Sequence, residues 1–81
     1  MGDSADAVTQ VSDAILRYLL LHPDAADSED GIADWWMPAM ALETNAAEVA
    51  AALQALHRRG LVARVTLPDG RVIYRAAPGA N

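Results

Sequence analysis

NAAEVAAALQALHRRGLVARVTLPDGRVIYR, residues 45–75, contains the change of period that decides the fold of this chain. In its first half Val49, Ala52, Leu53 and Leu56 recur at spacings of three and four, which puts them on one face of a helix. Asn45 with Glu48 three residues on has the form of a capping box, and Gly60 is the residue expected where a helix ends in the left-handed conformation. Beyond Gly60 the pattern becomes strand-like. Leu61 to Leu67 is rich in β-branched residues, Pro68-Asp69-Gly70 reads as a turn, and Arg71 to Arg75 returns as a second strand. The stretch therefore predicts a helix followed by a β-hairpin.

Two more helices are expected upstream. Val8, Val11, Ile15 and Leu19, with Tyr18 beside them, form an apolar stripe from about Asp6 to His22, where Pro23 should stop the helix. Asp13 and Arg17 are spaced to pair on its outer side. Asp27-Ser28-Glu29-Asp30 then supplies a cap and an acidic first turn for a short second helix running from Gly31 to Met37 and closed by Pro38. In that helix Trp35 and Trp36 straddle the direction of Ile32. With no Phe in the chain, core packing is the favoured reading of the two indoles, and an aromatic anchor for a partner is the alternative. Residues 1–5 and 77–81 carry too few large apolar side chains to anchor them, so they are expected to be flexible flanks of one domain spanning 6–76.

Composition narrows the class. Of the apolar residues 18 are Ala, which favours helix but buries little, so the core of this 81-residue chain must be compact. The absence of Cys excludes disulfides and thiolate metal sites. No unbroken apolar stretch, Tyr18 to Leu21 included, approaches the length of a membrane span, and the N-terminus lacks the features of a signal peptide. A cytoplasmic protein with no membrane partner is the expectation. Charge is unevenly spread. Residues 1–56 carry ten acids against the single base Arg17, whereas residues 57–75 carry five Arg against one Asp.

Helix, helix, helix, hairpin over this length resembles the winged helix-turn-helix domain of MarR-like, ArsR-like and PadR-like regulators. The resemblance rests on the run Glu48 to Val62, on Asp69-Gly70-Arg71, and on Ile73-Tyr74-Arg75. It implies an α+β, mostly helical fold whose hairpin is a two-stranded wing, with Tyr74 packing from the returning strand. It further implies DNA binding, the third helix entering the major groove and the wing touching the backbone.

Two functions follow. In a DNA-binding regulator Asn45 and Gln54 would meet bases, and Arg58, Arg59, Arg64, Arg71 and Arg75 would meet phosphates. Against this, the N-terminal part of the third helix presents Thr44, Asn45, Ala46, Ala47, Glu48, Ala51 and Gln54, none of them basic. The second helix opens on Asp27, Glu29 and Asp30, which repel phosphate. The favoured reading is a protein-interaction module in which Ala47, Ala51 and Ala55 form a smooth stripe that another helix can approach closely. Gln54 and Arg58 complete that surface. The partner is another protein or a second copy of this chain.

No enzyme is expected. The chain has no Lys, no Gly-rich phosphate loop and no nucleophile in a recognisable setting. Asp24, Asp27, Glu29, Asp30 and Asp34 read as caps and solvated charge rather than a catalytic pair. His22 and His57 stand apart without a ligand set, so neither a metal nor a cofactor is expected.

Overall fold

The computed structural model describes residues 4–78. Helix α1 (Ser4–Leu21) follows the apolar stripe: Val11, Ala14, Ile15 and Leu19 are buried, and Val8, Leu16 and Tyr18 pack against them from the edge. The His22 N–H donates to the Tyr18 carbonyl at 2.8 Å, closing the last turn ahead of Pro23. The helix starts earlier than expected, since Ser4 and Ala5 already belong to it. The rest of the expected flexible flanks, 1–3 and 79–81, lies outside the described residues. At the other end, the Ala77 N–H still bonds to the Leu61 carbonyl at 3.3 Å. Asp13 and Arg17 do not form the expected pair; among the described residues the one ion pair joins Arg71 to Asp69.

The second predicted helix is a composite of α2 (Glu29–Gly31), a π-helical turn (Ile32–Trp36) and α3 (Met37–Ala39). Ser28 caps it, its hydroxyl oxygen accepting the Gly31 N–H at 3.1 Å, while the Asp27 carboxylate accepts the Ser28 N–H at 2.8 Å. That carboxylate occupies the place a Cβ on Gly31 would take, so any larger residue there would push the Asp27 side chain aside. In the π turn the Met37 N–H reaches back five residues to Ile32.

Two expectations fail in this composite helix. Pro38 does not close it but lies inside α3, and the chain stays helical to Ala39. A proline mid-helix removes one backbone bond and crowds the preceding turn, and the wider π turn just before it loosens that crowding. The same widening corrects the Trp pair. Each residue of a π turn advances by a smaller angle than in an α-helix, so Trp36 stays over Ile32 while Trp35 swings outward. Trp36 is 3% exposed and Trp35 73%. Trp36 stacks on Tyr18 with ring centroids 4.5 Å apart and planes 12° apart.

α3 ends in a Schellman arrangement. The Leu42 N–H bonds to Met37 and the Ala41 N–H to Pro38, both at 3.0 Å, with Ala41 in the left-handed region at φ 57°. Helix α4 (Ala46–Arg58) is the third predicted helix and buries Val49, Ala52, Leu53 and Leu56. Half of its capping box forms: the Asn45 side-chain oxygen accepts the Glu48 N–H at 2.9 Å. The Glu48 carboxylate, instead of reaching back to Asn45, accepts the Thr44 hydroxyl at 2.7 Å. At the far end the Gly60 N–H bonds to His57 and the Leu61 N–H to Leu56, with Gly60 at φ 76°, the reversal its sequence position implied.

The hairpin comprises β2 (Val62–Thr66) and β3 (Val72–Ala76). Its turn is closed by the Gly70 N–H donating to the Leu67 carbonyl at 2.9 Å, with Gly70 at φ 92°. The sheet has three strands rather than the expected two. A short β1 (Ala26–Asp27) between α1 and α2 pairs antiparallel with β3, giving the order β1-β3-β2. The result is a mostly helical α+β domain. Its core lies where α1, the composite helix and α4 meet, closed from the sheet side by Val62 and Tyr74. Burying side chains such as Ile15, Ile32, Met37 and Leu53 contributes roughly 1.5–3 kcal/mol each.

Candidate interaction site

The exposed face of α4 is the one surface that both functional readings share. Ala47, Ala51, Gln54 and Arg58 are exposed along it and Ala55 is half-buried at its edge. Residues three and four apart lie one above another on a helix, so these five form a continuous stripe about 16 Å long. Its first two turns present methyl groups. Its last turn, with Arg58 followed by the C-cap Arg59, is basic, which suits the negative end of the helix dipole.

The stripe ends at a groove of about 280 Å³ between α4 and the hairpin, lined by Gln54, His57, Arg58, Arg64 and Tyr74. Register explains why Arg64 reaches it. Arg64 pairs with Tyr74 across β2 and β3, and Tyr74 pairs with Asp27 across β3 and β1, so all three share the sheet face turned toward the helices. On the other side of Arg64 and Tyr74 a second groove, of about 310 Å³, is lined by Ser28, Glu29 and Asp30 together with Val72. Arg64 and Tyr74 thus separate a basic groove from an acidic one.

The remaining arginines lie elsewhere. Arg75 pairs with Ala63 and Ala26, one residue out of step with Tyr74, so it stands on the opposite face of the sheet from Arg64. Arg71 is held at the hairpin tip by Asp69, its Nε donating to the carboxylate at 2.8 Å and its backbone N–H donating at 3.0 Å. The backbone bond from Arg71, opposed by desolvation and reinforced by the Arg71 guanidinium, lowers the Asp69 pKa from its ordinary value. Asn45 sits at the other end of α4, its side-chain oxygen engaged in the cap. Of the seven candidate nucleic-acid contacts, only Gln54, Arg58 and Arg64 converge on one place.

Tyr74 is the residue whose part in the site was not foreseen. The ring is expected from sequence to pack from the returning strand, and it is 5% exposed. Yet it lines both grooves, and among the described residues its hydroxyl makes no hydrogen bond. No fully buried side-chain polar atom lacks a partner among those residues, so this hydroxyl is not sealed from solvent. Its alternation with Ile73 and Arg75 is the signal that could have placed it beside Arg64.

Elsewhere the surface offers less chemistry. A hollow of about 530 Å³ lies beside the α3–α4 link, lined by Ala33, Pro38, Ala41, Leu42, Glu43 and Thr44. His22 is exposed and lies against Tyr18, with ring centroids 4.5 Å apart. Among the described residues no three His, Asp or Glu side chains cluster as a metal site would require, and no helix is long and apolar enough to cross a membrane.

No protein-family model matches the chain, and neither a curated protein nor a solved structure shows significant similarity to it.

Proposed function

We propose that this chain is a winged-helix protein-interaction module without enzymatic activity, presenting the exposed face of α4 to a partner protein. The winged-helix reading is supported by the order helix, strand, helix, helix, strand, strand and by the antiparallel sheet order β1-β3-β2, in which the hairpin is the wing. The choice of a protein over DNA rests on one observation: Arg58 and Arg64 share a groove, but the hairpin's other arginines do not extend it. Arg64 is bordered by Glu29 and Asp30, Arg71 is tied to Asp69, and Arg75 faces the other way. A duplex backbone presents a charge every few ångströms and would need an unbroken basic track. The alanines of α4 offer instead a smooth surface against which a second helix can pack closely.

A photo-reactive residue placed at Ala51, with one at exposed Asp24 as control, tests the reading in cells. Protein adducts specific to the Ala51 position are the expected outcome. Nucleic-acid adducts at Ala51, or identical protein adducts from both positions, would sink it.

A further inference from the structure

The groove at the end of the α4 stripe has features that a flat helix-packing surface does not need. It gathers two guanidinium groups, from Arg58 and Arg64, with the His57 ring and the Gln54 amide. Among the described residues none of these four side chains has a hydrogen-bond or ion-pair partner in the protein. Tyr74, 5% exposed as a residue, also lines the groove, and its hydroxyl has no hydrogen-bond partner among the described residues. Guanidinium, amide N–H and phenol O–H can all donate to one acceptor, and such donors bind an anion through charge-assisted bonds.

We propose that this groove binds a carboxylate of a peptide, supplied by the acidic first turn of a partner helix lying antiparallel to α4. The proposal deepens the protein-interaction reading above and rests on it. Antiparallel packing along Ala47, Ala51 and Ala55 brings the N-terminus of the incoming helix to the C-terminal end of α4, where Arg58 and the groove lie. Helix N-termini are where Asp and Glu are most favourable, so the partner's own stability places carboxylates there. The opposed dipoles of the two helices add to the fit.

The neighbourhood selects a peptide carboxylate over a nucleic-acid phosphate. A side-chain carboxylate enters alone, with neutral backbone on either side of it. A phosphodiester strand that ran on past Arg64 into the neighbouring groove would meet Glu29 and Asp30, where its next charge is repelled. Glu29 and Asp30 also repel a second carboxylate on that side, which fixes the direction in which the partner leaves.

The test is a ¹H–¹⁵N titration of the whole chain with four probes: a short alanine-based helical peptide with glutamates in its first turn, the same peptide with glutamines, inorganic phosphate, and a mixed-sequence DNA duplex. The glutamate peptide is expected to shift Gln54, His57, Arg58, Arg64 and Tyr74 saturably, with roughly tenfold higher affinity than the glutamine peptide. Arg64→Ala should remove most of that difference. Tyr74→Phe, which keeps the packed ring and loses only the hydroxyl, should weaken the glutamate peptide severalfold while its thermal midpoint stays close to that of the parent. Equal affinity for the two peptides, or shifts confined to Ala47 and Ala51, would overturn the groove proposal while leaving the α4 face as an interaction surface. Phosphate binding as tight as the glutamate peptide would overturn the peptide assignment. Duplex shifts on the groove stronger than those of either peptide would overturn both readings.

Discussion

Exchanging the residues at two helix ends, Ala41→Gly and Gly60→Ala, isolates the cost of the left-handed backbone in this fold. Both positions close a Schellman arrangement with the same hydrogen bonds, yet one carries a Cβ and the other does not. At Gly60 an added Cβ meets no atom within 4 Å, so Gly60→Ala tests conformation alone and not packing. An L-residue in this region costs about 1–2 kcal/mol, from which about 0.4–1 kcal/mol is recovered because alanine leaves the unfolded chain less freedom than glycine. Gly60→Ala should therefore destabilise by roughly 0.5–1 kcal/mol, and Ala41→Gly should stabilise by a similar amount. In a domain of this size 1 kcal/mol moves the thermal midpoint by about 4–8 °C, so calorimetry should show shifts of a few degrees in opposite directions. The double variant should melt close to the parent, because the two helix ends form separate hydrogen-bonded turns. A loss of stability in Ala41→Gly would refute the reasoning, since it would mean that the Ala41 methyl contributes more than its backbone costs.

Replacing the two tryptophans should give very different results. Trp36→Ala removes a buried ring stacked on Tyr18 and should cost about 3–5 kcal/mol, whereas Trp35→Ser alters an exposed side chain and should stay within about 0.5 kcal/mol; denaturant unfolding compares them. Asp69 should titrate below the ordinary aspartate range, because its folded form is held charged by Arg71. A carboxylate with a lowered folded pKa contributes its stabilisation above the unfolded pKa and loses it as pH falls through the folded one. The hairpin tip should therefore loosen only in acid, and Arg71→Ala should raise the Asp69 midpoint seen by NMR.

Much of this fold is legible in the sequence because local chemistry and tertiary packing agree. Gly60 ends α4 where the apolar period stops, Ser28 and Asn45 cap where caps were needed, and Pro68-Asp69-Gly70 turns the hairpin. What escaped is what local pattern does not encode. Strand β1 is two residues long, too short to show alternation, and exists because the edge of β3 is available to pair with. The π turn changes the helical period by one backbone bond, and a wheel drawn at 3.6 residues per turn then places Trp35 inside and ends the helix at Pro38. The Asp13–Arg17 spacing permits a pair but does not enforce one on an exposed helix face.

The candidate site was legible in part. The helical spacing along α4 puts Ala47, Ala51, Gln54 and Arg58 on its exposed face, with Ala55 at the edge. The division of the arginines was hidden, because it depends on strand register: Arg64 and Arg75 face opposite ways only once Tyr74 is known to pair with Arg64. One residue of slip would have reversed that relation.

Fluorescence anisotropy of a labelled mixed-sequence duplex, titrated with the chain at low and at physiological salt beside an Arg58→Ala, Arg64→Ala double variant, tests the central claim most directly. The account predicts weak binding at low salt, none at physiological salt, and little difference between parent and variant. Tight binding that falls steeply with salt and disappears in the variant would contradict it and make this chain a DNA-binding protein.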